Sequence, residues 1–192
     1  MAGQTEASLY PLFLKLEGRC VLVVGAGPVA ERKVDSLVES RARVRLVAPR
    51  ATDRLRELAW EGLIEWVVRP FEDADASGAW LIVAATGDAA VQERVAAAGE
   101  AHRAFVLAVD DPRHATAYSG AVVRRPPLAI AISSSGETPA LTRLVREVIE
   151  EVLPGEAFIE HARNLRAKWL AEKTPVGERF GNLVRELAAK QR

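Results

Sequence analysis

The sequence predicts an α/β protein built on a Rossmann-type, doubly wound parallel sheet, on three observations. Residues Cys20 to Lys33 read CVLVVGAGPVAERK, an apolar, β-branched run that breaks at a glycine turn and enters a helix. Strand-like and helix-like segments then alternate as far as Asp110, which calls for right-handed crossovers and parallel strands. After Pro112 the pattern changes to two short strands followed only by helices, so a small α+β region and a helical tail complete the chain.

Each element has its own signal. Val21–Val24 is the first strand, and Val29, Ala30, Val34, Leu37 and Val38 give the next helix one apolar stripe. Arg43–Ala48 is the second strand, and Thr52 caps a helix carrying Leu55, Leu58 and Ala59. Ile64–Val68 is the third strand, followed by an acidic, glycine-containing loop. Trp80–Ala85 is the fourth, Asp88 caps a helix with Val91, Val95 and Ala98, and Ala104–Val109 is the fifth. Ala121–Arg124 and Leu128–Ser133 form two further strands around a Pro126-Pro127 turn. A helix capped by Thr138, with Pro139 in its first turn, then carries Leu141, Leu144, Val145, Val148, Ile149 and Val152. Pro154-Gly155 breaks the chain before two amphipathic helices, Glu156–Lys173 and Val176–Lys190, hinged at Thr174-Pro175. The expected domains are residues 1–117 for dinucleotide binding, 118–153 for dimerisation and 154–192 for the helices. Two strands are too few for an independent sheet and leave exposed edges, so a homodimer is expected.

Composition narrows the function classes. With 26 basic and 26 acidic residues in a chain of 192, no global field draws nucleic acid or a membrane. No apolar run reaches the roughly 20 residues that span a bilayer, and the first residues show no basic-then-apolar signal. The single cysteine, Cys20, lies in the apolar first strand with no intrachain partner, as expected of a buried thiol in a reducing cytoplasm.

The glycine turn carries the first chemical reading. Gly25 permits the turn, Gly27 lets backbone approach a pyrophosphate, and Ala30 takes the third, helix-packing position. Pro28 suits the first helical position, and the N–H groups that follow, from Val29 onward, face the phosphates. Parallel strands end on one edge, so Gly25, Pro49, Thr86 and Asp110 should line a common crevice. The second strand ends without the acid that usually holds the ribose diol. Backbone around Pro49 then binds the adenosine ribose, or Arg50 meets a 2′-phosphate; both readings stay open.

Asp110-Asp111-Pro112 ends the fifth strand at that edge. The pair either caps a turn or supplies a carboxylate that accepts a proton beside a nicotinamide, Asp110 being closer to the crevice. Ser133 to Pro139 is either an N-cap turn or a second ligand-binding lip. Arg113, Arg124, Arg125, Arg143 and Arg146 together suit a substrate with several carboxylates. His114 lies near Asp110 as a candidate substrate contact, whereas His102 reads as a helix-end residue and His161 as a helix-face residue. No spacing suits a resident metal. Trp60, Trp66, Trp80 and Trp169 read as core or interface anchors.

Taken together, Tyr10-Pro11-Leu12-Phe13, the segment Val23 to Lys33, Ala84-Ala85-Thr86, Val109-Asp110-Asp111-Pro112 and Ala131 to Leu141 resemble the precorrin-2 dehydrogenases. These form the N-terminal module of siroheme synthases and sometimes act also as sirohydrochlorin ferrochelatases. The resemblance implies oxidation of precorrin-2, a tetrapyrrole, to sirohydrochlorin with NAD, with Fe²⁺ as a further substrate in bifunctional members. It implies Asp110 as the catalytic carboxylate. Pro28, Val29, Pro49 and Arg50 match cofactor contacts, and Ser134 matches a serine facing the tetrapyrrole. Leu107 stands where relatives carry asparagine, and Ala115 to Gly120 departs from the usual aromatic-proline lead into the dimerisation strand. The alternative is a non-catalytic module that binds NAD and switches a partner, and a third reading is a dehydrogenase for another polyanion.

Overall fold

Five short apolar segments pair side by side in the order β3-β2-β1-β4-β5, every pair parallel. The strands are β1 (Cys20–Val24), β2 (Arg43–Val47), β3 (Ile64–Val67), β4 (Leu81–Ala84) and β5 (Phe105–Ala108). Helices α1 (Pro28–Glu39), α2 (Asp53–Trp60) and α3 (Ala89–Ala101) supply the crossovers. The computed structural model describes residues 8–109 and 111–190, the last four by backbone alone.

Strand alternation sorts the core into two layers. Val21, Val23, Leu46 and Val83 face Ala30, Val34 and Leu37 of α1 and Leu55 and Leu58 of α2. Leu22, Val24, Ile82 and Ala84 face Val95 and Ala98 of α3, together with Phe71. Leu22, Leu46 and Ile82 are fully buried, each contributing about 1.5–3 kcal/mol of transfer free energy. Cys20 is buried and free. Gly99 of α3 sits so close to β5 that a Cβ would collide with Val106, which draws helix and strand together.

The chain changes direction at β1. The connection from β1 runs outward to β2 and β3, then crosses back to β4 and β5 on the other side. Crossovers leaving in opposite directions open a crevice between the carboxyl ends of β1 and β4, where such sheets take ligands.

The chain divides into two compact units between Ser119 and Gly120. In the second, β6 (Ala121–Arg125) and β7 (Leu128–Ile132) form an antiparallel pair, and α4 (Pro139–Val152) packs on it. Helices α5 (Glu156–Ala171) and α6 (Val176–Lys190) pack on each other, with His161 Nε2 3.2 Å from Glu186 Oε2.

Three expectations are corrected. The acidic loop after β3 contains a 3-10 turn, Asp73–Ala76, closed by a capping box between Glu72 and Asp75 and anchored by the Arg69–Asp75 pair at 2.6 Å. Thr138 precedes α4 but its side chain makes no capping bond; Thr142 instead turns its hydroxyl back onto the Thr138 carbonyl, 3.1 Å away. Trp60 is 92% exposed and Trp80 is 55% exposed, the latter stacked by Arg19 at 3.6 Å, so neither is a core anchor. Among the described residues no helix is long and apolar enough to cross a membrane. None of their His, Cys, Asp and Glu side chains group in threes or more to hold a metal.

Candidate functional site

The β1–α1 turn is shaped by two glycines with different duties. Gly25 has φ +96, its N–H donates to the Val47 carbonyl at 3.1 Å, and a Cβ there would strike the Ala85 carbonyl. The fold itself therefore demands glycine at this position. Gly27 has an ordinary φ of −86, and a Cβ there would meet no atom within 4 Å. No described residue excludes a side chain at residue 27, so the space in front of α1 is open to a ligand among the described residues.

The helix caps sharpen this point. Thr52 Oγ1 accepts from Leu55 N–H at the start of α2, and Asp88 Oδ1 accepts from Ala90 and Val91 N–H at the start of α3. Gly27 supplies no side-chain cap to α1, and the first intrahelical bond runs from Glu31 N–H to Gly27 O. Pro28 has no N–H to satisfy, which leaves those of Val29 and Ala30 to an outside acceptor. These donors and the positive end of the helix dipole suit a pyrophosphate. The residues present fit the phosphates of a dinucleotide.

Register brings the other expected residues to this edge. Val24 lies opposite Val47 on β2 and Ala84 on β4, so Pro49, Arg50 and Thr86 follow strands that end level with Gly25. Trp66 Nε1 donates to the Ala48 carbonyl at 3.0 Å and steadies the end of β2. Arg50 is exposed and pairs with no described residue, as a ribose or 2′-phosphate contact requires. Thr86 Oγ1 accepts from Asp88 N–H at 3.2 Å, and Thr86 O accepts from Gln92 Nε2 at 2.6 Å. Sequence reasoning missed Gln92: a glutamine six residues along a chain carries no signal until the helix folds back over its own loop.

At the end of β5, Val109 N–H donates to the Ala84 carbonyl at 3.0 Å. Asp110 lies outside the described residues. Asp111 caps the 3-10 turn Pro112–His114, accepting from Arg113 N–H at 3.2 Å. It also binds Arg113 Nε at 3.2 Å and His114 Nδ1 at 2.8 Å. The Arg113 guanidinium first, and His114 second, hold the Asp111 carboxyl below the usual carboxylate range. Leu107 is half-buried and packs against the α1–α2 side of the core.

The second unit holds the remaining expected residues. Ser134 is half-buried and its Oγ accepts from Thr138 N–H at 3.1 Å, so this serine builds the turn before α4. The five arginines grouped by the sequence differ in their partners within the protein. Arg125 donates to the carbonyls of Glu150, Leu153 and Pro154, which ties β6 to the end of α4. Arg143 pairs with Glu147, Arg146 pairs with Glu150, and Arg113 pairs with Asp111. Arg124 is exposed and, alone of the five, has neither a hydrogen bond nor an ion pair to a described residue.

A family profile described as "Putative NAD(P)-binding" matches residues 12–121. Siroheme synthase 1 of Aeromonas salmonicida is 39% identical over 171 residues, covering 88% of this chain and 36% of that protein. Siroheme synthase of Salmonella arizonae is 38% identical over 171 residues, covering 88% of this chain and 37% of its own length. The chain thus spans little more than a third of these relatives. A solved structure titled SirC, precorrin-2 dehydrogenase superposes with a TM-score of 0.77, covering 92% of this chain and 88% of that one at 23% identity. That structure has the same fold. The glycine turn, the uncapped first helix and the profile spanning both agree, and the chain belongs to this NAD(P)-binding family.

Proposed function

We propose that this protein oxidises precorrin-2 to sirohydrochlorin with NAD as acceptor, a step of siroheme biosynthesis carried out in the cytoplasm. The observation that carries the reading is likeness to siroheme synthases along 88% of the chain, in a fold whose first helix is left open for phosphates. NAD, when bound, supplies the hydride acceptor. Val29 and Ala30 N–H hold its pyrophosphate beside Gly25, Gly27 and Pro28, while Pro49 and Arg50 meet the adenosine ribose and Thr86 shapes the opposite wall.

Asp110 takes the proton that the macrocycle releases as hydride departs. Arg113, His114, Arg124 and Ser134 contact the substrate, the cations meeting its carboxylates. Fe²⁺ insertion into sirohydrochlorin in the same cleft, with Asp110 taking pyrrole protons, is a second activity of this reading. The protein works as a homodimer. On α4, Leu141, Leu144, Val148 and Val152 stand 51–72% exposed along one stripe, which supports residues 118–153 as a dimerisation domain. Residues 154–192 form the helical domain.

The test is anaerobic incubation of the purified protein with precorrin-2 and NAD⁺, following the sirohydrochlorin spectrum and NADH together. Coupled appearance of both is expected. Asp110→Ala should abolish it while leaving NAD⁺ affinity within a few-fold, and full activity in that variant removes Asp110 as the base. NAD⁺ binding without turnover of precorrin-2 would overturn the reading in favour of a non-catalytic NAD-binding module.

A further inference from the structure

The loop that faces the glycine turn is held by a side chain from the helix that follows it. A Cβ on Gly25 would stand 3.1 Å from Thr86 N, so Thr86 lies directly against the turn that offers its N–H groups to phosphate. On the N-terminal side of Thr86 the chain is fixed by β1, because Ala85 N–H donates to the Val24 carbonyl at 2.8 Å. On its other side the Thr86 carbonyl accepts from Gln92 Nε2 at 2.6 Å. The Thr86 side chain is steered as well, since its Oγ1 accepts from Asp88 N–H at 3.2 Å.

A hydroxyl that accepts one N–H still has its own proton to give. No described residue takes that of Thr86, which is half-buried. Gln92 is the more telling residue, because its Oε1 is buried and accepts from no described residue. A buried acceptor without a donor is destabilising, and leucine or methionine would fill the same volume with no such atom. Nor does α3 need this side chain for its start. Asp88 Oδ1 already accepts from Ala90 and Val91 N–H, and Asp88 O accepts from the backbone N–H of Gln92. What the glutamine side chain alone supplies is the bond to Thr86 O. Around Gly87 the loop is otherwise open, since a Cβ there would meet nothing within 4 Å.

We propose that Gln92 is a positioning residue of the dinucleotide site: it fixes the Thr86 backbone so that the Thr86 hydroxyl donates to an oxygen of the bound dinucleotide beside Gly25. The inference rests on the dinucleotide reading of this crevice and is independent of the tetrapyrrole substrate. Without the Gln92 bond the Thr86–Gly87 peptide is free to turn, and the cofactor must order it on binding at the expense of affinity. The glutamine thus keeps the wall of the crevice in its binding form before the cofactor arrives, and the helix start it sits on does not depend on it.

The experiment is NADH fluorescence titration of the full chain, with urea unfolding in the absence of ligand run on the same samples. Gln92→Leu removes the donor and the orphan acceptor together, and Gln92→Met does the same with an unbranched side chain should leucine fail to pack. Either should leave the unfolding midpoint close to wild type while weakening NADH about tenfold, the size of one net hydrogen bond. Thr86→Val, which drops the hydroxyl, should weaken NADH by a similar factor. The double variant Gln92→Leu with Thr86→Val should then bind no more weakly than Thr86→Val alone, because the two residues act through one contact. Wild-type affinity in both Gln92 variants, or losses that multiply in the double variant, would overturn the positioning role and leave the dinucleotide reading intact. A lowered midpoint with unchanged affinity would also overturn it, as the mark of a purely structural residue. Failure of the wild-type chain to bind NADH would overturn the dinucleotide reading and this inference with it.

Discussion

Replacing Gly27 by aspartate separates the protein's own requirements from those of its ligand. A Cβ at residue 27 meets no atom within 4 Å and φ is −86, so the substitution strains nothing in the folded chain. Aspartate is also a better N-cap than glycine, by a few tenths of a kcal/mol. The folded state of Gly27→Asp should therefore be as stable as the wild type or slightly more so. The same carboxylate takes the N–H groups meant for the pyrophosphate and sets a negative charge about 4 Å from it. At an effective dielectric of about 20 that repulsion is about 4 kcal/mol, roughly a thousandfold in Kd. Thermal unfolding and NADH fluorescence titration, run side by side, check both halves. A folded Gly27→Asp protein that binds NADH within about tenfold of wild type would refute the placement of phosphate at this turn.

Gly25→Ala should do the reverse, lowering Tm in the absence of ligand, because its Cβ strikes the Ala85 carbonyl and its φ is +96; a cost of about 2–5 kcal/mol is expected from left-handed backbone and overpacking together. Asp75 is depressed in pKa, chiefly by its hydrogen bond from Arg69. A carboxyl depressed on folding adds stability that is present above its unfolded value and lost as pH falls through the folded one. Asp75→Asn should thus lower the urea midpoint at neutral pH, with the gap to wild type closing below about pH 4; a gap independent of pH would contradict this. Leu144→Asp, on the exposed α4 stripe, should convert the proposed dimer to a monomer in sedimentation measurements without lowering NADH affinity, and a wild-type chain that sediments as a monomer would refute the dimer.

Much of the fold was legible because its signals are local. The β1 run is apolar at every position since both of its faces are covered, and its boundary differs from expectation by the single residue Cys20. Thr52 and Asp88 announce α2 and α3 because a short polar side chain satisfies orphan N–H groups of the very next turn. Asp111 was legible as one of an acidic pair, but which of turn cap and functional group it serves depended on where Arg113 and His114 fell once the chain turned back along β5.

The sequence by itself determined the strand–helix alternation, the parallel sheet, the glycine turn and the helix starts, because each depends on residues a few positions apart. Only the tertiary structure decided which charges are free. Arg125 looked like its neighbour Arg124, yet it lies within reach of three carbonyls at the end of α4, contributed by residues 25 to 29 positions away. Trp60 reads by type as a core or an interface anchor, and its 92% exposure removes the first of these. The motif gave the two glycines of the turn different duties, and the approach of Ala85 at the end of a distant strand supplied the steric reason why the fold demands glycine only at residue 25. Pairing, burial and steric exclusion are set by neighbours in space, and a linear pattern carries those neighbours only when they are also neighbours in the chain.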